Sequence, residues 1–190
     1  MIQTRSERSR NAILRSFAEL LFRQGYDDVS VRDIVAGAAV ARSTFYEHFS
    51  SKEDVLCTSM GRFFEVLARC VSEEDQPTGL INVLAHFWAN RRLTDAIFSG
   101  TPRKIIALSL SEMVEARLRE RSSDKLLLPH RLASIQIGEA QLALVEGWLR
   151  GRAPAPVNDV AAALHGSSRA LAAAITRMSL LETNGSAQTR

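Results

Sequence analysis

The chain of 190 residues is 46% hydrophobic and 24% charged, with a formal net charge of +3. This composition is typical of a globular protein with a substantial core, and the small net charge excludes a polycation. Two cysteines are too few for a disulfide framework or a structural zinc site. No apolar run approaches the roughly 20 residues that a membrane span needs.

Residues 1–11 are polar and are not followed by the apolar stretch of a signal peptide, so we expect a cytoplasmic protein. Cys57 and Cys70 fall on one predicted helix and face different ways. They cannot pair within the chain, and we interpret them as reduced thiols in the cytosol, with a redox role as the alternative.

The first predicted helix covers residues 6–24. Its inner stripe consists of Ile13, Phe17, Leu20 and Leu21, and Gly25 ends it.

Four arginines near the N-terminus, Arg5, Arg8, Arg10 and Arg15, outweigh the single acid Glu7. A basic arm of this kind suits a phosphate backbone. The alternative is a solvated, frayed terminus.

Residues 31–52, with the sequence VRDIVAGAAVARSTFYEHFSSK, predict two short helices with a brief break between them. Ser30 and Asp33 have the spacing of a capping box, which starts the first of the two. Its apolar stripe is formed by Ile34, Val35 and Ala38. The stripe then loses phase and restarts with Phe45 and Phe49, four residues apart. This pattern predicts a helix-turn-helix.

The second short helix presents a face rich in hydrogen-bonding groups. If Phe45 and Phe49 point to the core, Ser43 and Glu47 point away from it. Arginine can bind guanine, glutamate can accept from the cytosine amino group, and hydroxyls can reach bases or phosphates. We therefore expect DNA contacts from Ser30, Arg42, Ser43, Thr44, Tyr46, Glu47, His48 and Lys52.

Lys52 is expected to open the next helix, where Ser50 and Glu53 have capping-box spacing. A helix N-terminus that carries a lysine suits a phosphate.

The run over residues 25–56 resembles the DNA-binding segment of the TetR/AcrR family of transcriptional regulators. Its most specific part is TFYEHF at 44–49, followed by SKE at 51–53. The resemblance departs from the family at two positions. Ala39 stands where the family usually has glycine. Ala41 stands where it usually has serine or threonine, so the recognition helix lacks a side-chain cap. The alternative is a helical hairpin that does not bind DNA.

A long fourth helix is predicted from Lys52 to about residue 72, with Leu56, Met60, Phe63 and Leu67 inward. It extends beyond a three-helix DNA-binding unit. We therefore predict an all-α protein: a helix-turn-helix domain over residues 1–51, joined by this helix to a helical ligand-binding and dimerisation domain over residues 52–190.

The remaining chain also has helical periodicity. We predict helices over residues 80–91, 95–98, 103–121, 129–150 and 158–182, with no strand. Thr101 and Asn158 are the predicted N-caps of the third and the last of these. The segment NGSAQTR at 184–190 has the composition of a disordered tail.

The last two helices predict a homodimer through residues of about 130–150 and 158–182. The final helix has one apolar stripe, formed by Val160, Leu164, Leu171, Ile175 and Met178. It has a second stripe of small residues, formed by Ala163, Ser167, Ala170 and Ala174. The preceding helix offers Ile135, Leu142, Val145, Trp148 and Leu149. Two such helices from each of two chains would form a four-helix interface, as in the family that the chain resembles. The alternative is that the chain's own core uses both stripes.

Polar residues on or beside apolar faces of the middle helices predict a small-molecule site. We expect Phe64, His86, Trp88, Asn90, Met113 and Gln136 to form it. Arg91, Phe98 and Glu139 are nearby candidates. The alternative for each polar residue is an ordinary solvated position.

Enzyme motifs are absent from the sequence: it has no HExxH, GxSxG, Walker loop or GxGxxG. Its four histidines, His48, His86, His130 and His165, lack metal-ligand spacing, and we expect no cofactor. The resemblance implies a dimeric regulator, usually a repressor, that reads a near-palindromic operator and leaves it when an inducer binds. The alternative is a DNA-binding or architectural protein of this fold without a ligand.

Overall fold

The computed structural model describes residues 4–120 and 126–176. This part of the chain is helical and contains no strand, which confirms the all-α prediction; Leu126 and Thr176 form one isolated antiparallel bridge. The α-helices are α1 (Arg5–Gln24), α2 (Val31–Ala38), α3 (Arg42–His48), α4 (Lys52–Arg69), α5 (Leu80–Ala89), α6 (Thr94–Ile97), α7 (Gly100–Glu120), α8 (His130–Leu149) and α9 (Val157–Ala174). A 3-10 turn, Arg91–Leu93, precedes α6.

Helices α1, α2 and α3 bury their apolar stripes against one another. Ile13, Phe17, Ile34, Phe45 and Phe49 are all buried. The Ser16 hydroxyl donates to the Ile34 carbonyl over 2.9 Å. A Cβ atom added at Gly37 would lie 2.4 Å from the Ser16 oxygen, so glycine permits this close approach of α1 and α2.

Helix α2 begins with the predicted capping box. The Ser30 hydroxyl accepts from the Asp33 amide, and the Asp33 carboxylate accepts from the Ser30 amide. Hydrogen bonds from the Ser30 hydroxyl and amide hold the pKa of Asp33 below its usual value. The carboxylate therefore stays charged at neutral pH. Its negative charge stabilises the helix by interacting with the positive, N-terminal end of the helix dipole.

The predicted cap of α4 is wrong by one residue. Ser51, not Ser50, has the extended backbone of an N-cap, and its hydroxyl accepts from the Asp54 amide. The Asp54 carboxylate accepts from the Ser50 amide over 2.9 Å, so aspartate at the third helical position takes the place expected for Glu53.

Two further predicted caps are also wrong. Helix α7 begins at Gly100, so Thr101 lies inside its first turn. Helix α9 begins at Val157, with Pro156 in the extended N-cap conformation and Asn158 inside the first turn. A proline immediately before the first helical residue fixes the chain direction without a side-chain cap.

The end of α9 differs from the prediction. The helix ends at Ala174, and the Ile175 carbonyl accepts from the Leu127 amide over 2.7 Å. This pairing draws the chain out of the helix and places Ile175 in the core. Met178, the predicted helix over 177–182 and the tail at 184–190 lie outside the described residues.

Helix α8 packs against α7 and α9, and α7 also packs against α4. Gln141 of α8 donates from Nε2 to the Leu67 carbonyl of α4 and to the Ser168 hydroxyl of α9, both over 2.9 Å. Arg103 of α7 forms ion pairs with Glu139 and Glu146 of α8. No described helix is long and apolar enough to cross a membrane.

The chain's own core uses most of the apolar face predicted for a dimer on α8. Leu142, Val145, Trp148 and Leu149 are buried within one chain, which corrects that part of the prediction, whereas Ile135 is exposed. The small-residue stripe of α9 behaves differently: Ala163, Ser167, Ala170 and Ala174 are all exposed.

The turn after α2 contains a strained residue. Ala39 has φ 52° and ψ 43°, and it alone among the described non-glycine residues has a positive φ. The Val40 amide donates to the Val35 carbonyl and the Ala39 amide to the Ala36 carbonyl, which is the Schellman pattern. Glycine usually occupies this position because a Cβ atom is disfavoured there.

We predict that Ala39→Gly raises the free energy of unfolding by about 0.5–1 kcal/mol, because relief of the left-handed strain exceeds the extra entropy of glycine in the unfolded chain. Ala36→Gly, an exposed position inside the same helix, is the matched control and should lower it by about 1 kcal/mol. Denaturant titration measures both. A loss of stability in both variants would contradict the prediction.

Candidate nucleic-acid interface and ligand cavity

Helix α3 is anchored on one side and exposed on the other. Phe45 and Phe49 are buried, whereas Tyr46 is 50% exposed and Glu47 is exposed. Arg42 and Ser43 are also exposed, and Thr44 and His48 are half-buried at the edges of this face. The predicted orientation of the helix is therefore confirmed. Ala41 provides no side-chain cap, as expected from its type.

Arg42 and Tyr46 form a pair on the exposed face. The Arg42 guanidinium lies 5.7 Å from the centroid of the Tyr46 ring, and its Nη2 is 3.4 Å from the Tyr46 hydroxyl oxygen. Tyr46 in turn contacts Phe45 edge to face at 5.3 Å. This chain of contacts restricts the arginine before any partner arrives, which lowers the entropy cost of binding.

One arginine of the N-terminal cluster lies beside α3. The Arg10 guanidinium is 5.7 Å from the centroid of the Phe49 ring. Ser30, by contrast, uses its hydroxyl within the chain, donating to the Asp33 carboxylate over 2.6 Å.

Lys52 has contacts within the protein that the sequence did not indicate. Its Nζ donates to the Tyr26 carbonyl over 2.9 Å and lies 4.2 Å from the centroid of the Tyr26 ring. The Tyr26 hydroxyl donates to Glu53 over 3.1 Å. Burial, and then the charge of Glu53, raise the pKa of this hydroxyl well above its usual value, so it remains a donor. The N-terminus of α4 is thereby fastened to the loop after α1.

The larger cavity, of about 720 Å³, lies between α1, α4, α5 and α6. Its buried lining is apolar except for Thr94 and includes three phenylalanines, and its exposed lining is polar except for Ala18. The lining residues are Phe17, Ala18, Leu21, Ser59, Met60, Arg62, Phe63, Asn82, Val83, His86, Phe87, Asn90, Thr94, Ile97 and Phe98.

The six residues predicted to bind a ligand do not come together. Only His86 and Asn90 line the larger cavity. Trp88 stacks on Trp148 with ring centroids 4.7 Å apart, and Gln136 is exposed on α8. Phe64 and Met113 line a second cavity, of about 470 Å³. Adjacent residues on a helix are about 100° apart, so Phe63 faces the larger cavity and Phe64 the second one.

The two thiols have different surroundings. Cys57 lines the second cavity, with its Sγ 3.1 Å from the Ser109 hydroxyl oxygen. Burial raises the pKa of the Cys70 thiol to about 12, so this thiol stays protonated at neutral pH. A protonated, buried thiol is a poor nucleophile.

Comparison with known proteins agrees with this geometry. The sequence model of the family described as bacterial regulatory proteins, tetR family, matches residues 13–56, which span α1 to the start of α4. The chain is 32% identical over 77 residues to the HTH-type transcriptional regulator TcmR of Streptomyces glaucescens, a match that covers 40% of this chain and 33% of TcmR. It is 26% identical over 119 residues to the HTH-type transcriptional repressor KstR2 of Mycolicibacterium smegmatis, covering 58% of each.

A solved TetR transcriptional regulator from Streptococcus agalactiae shares the fold, with a TM-score of 0.53 at 23% identity over 86% of this chain and 95% of that one. The matches to the two curated relatives span less than two thirds of either protein. Together the fold, the exposed α3 face and these matches define a helix-turn-helix DNA-binding protein. Residues 13–56 are thus a helix-turn-helix segment of the kind found in the TetR/AcrR family of transcriptional regulators, whose members are not enzymes.

We predict that Lys52→Ala lowers the free energy of unfolding by about 1–2 kcal/mol, because it removes both the hydrogen bond to Tyr26 and the cation–π contact. Lys104→Ala, at an exposed position on α7, is the matched control and should leave the melting temperature unchanged. Thermal unfolding followed by circular dichroism measures both variants. Equal melting temperatures would show that the Lys52 contacts do not stabilise the fold.

Proposed function

We propose that this protein is a homodimeric transcriptional regulator that binds a near-palindromic operator and is released from it by a small molecule. The observation that carries the proposal is α3, whose aromatic side is buried and whose opposite side presents Arg42, Ser43, Tyr46 and Glu47 to solvent. A short helix held in this way has the form of a recognition helix that enters a major groove. We further propose that residues 1–51 form the DNA-binding domain and residues 52–190 the ligand-binding and dimerisation domain.

We assign different roles to the residues of the DNA-binding face. Arg42 and Glu47 suit the reading of bases, because a guanidinium can donate twice to guanine and a carboxylate accepts from cytosine. Tyr46, Thr44 and His48 suit contacts with the phosphate backbone, together with Ser43 and Ser30. For Ser30 the backbone amide and hydroxyl are already used in the capping box, so any phosphate contact must compete with Asp33. Lys52 keeps two of its three N–H groups for phosphate while the third bonds Tyr26.

Selection of bound sequences from random duplex DNA supplies the operator for a test of this face. We predict that Arg42→Ala weakens the free energy of operator binding by about 1–3 kcal/mol, because a base contact is lost. The sequence preference at one base position should relax for the same reason. Tyr46→Ala should weaken binding to all sequences more evenly. Arg152→Ala, in the exposed loop between α8 and α9, is the control and should bind like the wild type. Wild-type affinity and preference in both α3 variants would refute the assigned face.

The exposed small residues of α9 support a dimer. Ala163, Ser167, Ala170 and Ala174 form a continuous exposed stripe, while Val160 and Leu164 on another side of the helix are buried in the chain's own core. On α8, Leu132 and Ile135 are 51% and 40% exposed. Small side chains let two helices approach closely, and the exposed leucine and isoleucine of α8 add apolar area to the surface of the chain.

We predict that Ala170→Glu produces a monomer with weak operator binding, because it would bury an unpaired carboxylate at a cost of several kcal/mol. Ala85→Glu, at an exposed position on α5, is the matched control and should remain dimeric. Light scattering at micromolar concentration measures the assembly. A monomeric wild type would overturn the proposal.

Release by a small molecule requires reciprocity. A compound that raises the melting temperature in a screen of metabolites and drugs is titrated into the protein with and without saturating operator. We predict that operator DNA lowers the affinity of the protein for the compound by a certain factor, typically about 5–150-fold. The compound should lower the affinity of the protein for operator DNA by the same factor. Equal affinity in the two titrations would favour the alternative, a DNA-binding or architectural protein of this fold without an inducer.

A further inference from the structure

The larger cavity has α1 as one of its walls. Ala18 and Leu21 line it together with Phe17. The same helix contacts α2 at Ser16, whose hydroxyl bonds the Ile34 carbonyl. A molecule in this cavity therefore touches, on one side, the helix against which the helix-turn-helix is packed, and on the other side α4 at Met60 and Phe63.

The floor of the cavity is aromatic. The ring centroids of Phe63 and Phe87 are 4.7 Å apart, and the Phe98 ring lies 6.2 Å from the first and 6.3 Å from the second. Phe17 completes the aromatic lining, and the buried Val83 lines the same cavity. Aromatic rings prefer offset or edge-to-face partners, so this floor favours a flat aromatic body over a polar one.

The rim of the cavity is polar and selective in charge. Apart from Ala18, its exposed residues are Ser59, Arg62, Asn82, His86 and Asn90. Arg62 is its one arginine or lysine, and the lining described contains neither aspartate nor glutamate. Within the described residues Arg62 forms no ion pair. A carboxylate at the rim would gain an uncommitted guanidinium, whereas an ammonium group would meet a like charge.

We propose that this cavity binds a small aromatic carboxylate, with its ring among the phenylalanines and its carboxylate at Arg62, and that the occupant acts on α1 directly. The assignment of this occupant as the releasing ligand rests on the proposed function. The contacts continue from the cavity wall: the Phe17 ring meets the Tyr26 ring edge to face at 6.3 Å, and Tyr26 is bound by Lys52 and Glu53. An occupant that displaces Phe17 therefore strains the junction between α1 and the start of α4.

The test uses three probes that share one ring system: naphthyl-2-acetate, naphthyl-2-acetamide and 2-naphthylethylamine. Binding to the full chain is measured by calorimetry without DNA. The acid should bind most tightly and the amine most weakly. Arg62→Gln should weaken the acid about fivefold or more and change the amide little, because only the charged head uses the guanidinium. Arg152→Gln should bind all three like the wild type.

Two tryptophan substitutions separate the two cavities. Ala18 and Ala116 are both exposed alanines of long helices, and each lines one cavity only. Ala18→Trp should abolish binding of naphthyl-2-acetate, whereas Ala116→Trp should leave it unchanged. Circular dichroism checks that both are folded. Hydrogen exchange should change over residues 17–26 on addition of the acid and stay constant over 157–174.

The outcomes that concern the binding site and its action on α1 are decided without operator DNA. Three results would each overturn the proposed site. The first is absence of saturable binding, and the second is equal affinity for the three probes. The third is that Ala116→Trp loses binding while Ala18→Trp retains it. Binding of the acid at this site with unchanged exchange over residues 17–26 would overturn the action on α1. If the site and exchange results hold but naphthyl-2-acetate leaves operator affinity unchanged, the site stands and its assignment to the releasing ligand fails.

Discussion

Helix α1 packs against α2 and α3 on one side and against α4 on another. This packing is the constraint on which the rest of the structure depends. Phe17 is 1% exposed and Ile13 is fully buried. One part of the helix surface holds α2 and α3 in place, and another forms a wall of the larger cavity. Since protein interiors are close-packed and do not deform continuously, a change on one side of such a helix is transmitted to the other.

The junction between α1 and α4 has an electrostatic component in addition to its packing. Lys52 and Glu53 are successive residues of opposite charge, and each binds a different part of Tyr26: the carbonyl and the hydroxyl. Lys52, which is also a candidate for phosphate contact, and Glu53 thus stabilise the loop that follows α1. Under the proposed function, a DNA contact at Lys52 is therefore linked to the cavity wall through Tyr26, which contacts both Lys52 and Phe17.

Much of this architecture could be predicted from the sequence. Period-3.6 apolar stripes located the long helices, because burial of one face leaves that trace in the chain. The anchoring of α3 followed from Phe45 and Phe49 alone. The caps of α4, α7 and α9 could not be placed, since neighbouring Ser, Thr, Asn and Pro residues offer competing starts that differ by one residue and by little free energy.

The lining of the two cavities was the least predictable feature. Polar residues beside an apolar stripe mark the edge of a helix. Tertiary packing decides which of these edges come together, and the local sequence does not indicate that packing. Phe63 and Phe64 differ by one position and line different cavities. Tyr26 follows the glycine that ends α1. Nothing in its immediate sequence indicated that it bonds Lys52 and Glu53, which lie 26 and 27 residues further along the chain.

The stacked pair of Trp88 and Trp148 has a spectroscopic consequence. These are the two tryptophans of the whole chain, and their rings lie 4.7 Å apart with planes inclined by 20°. Intrinsic fluorescence excited at the red edge of the indole band therefore reports on the seam between α5 and α8, and coupled indoles give a strong near-ultraviolet dichroic signal. The region of α1 to α3 contains no indole, so its unfolding is silent in this channel and the far-ultraviolet signal must be followed in parallel.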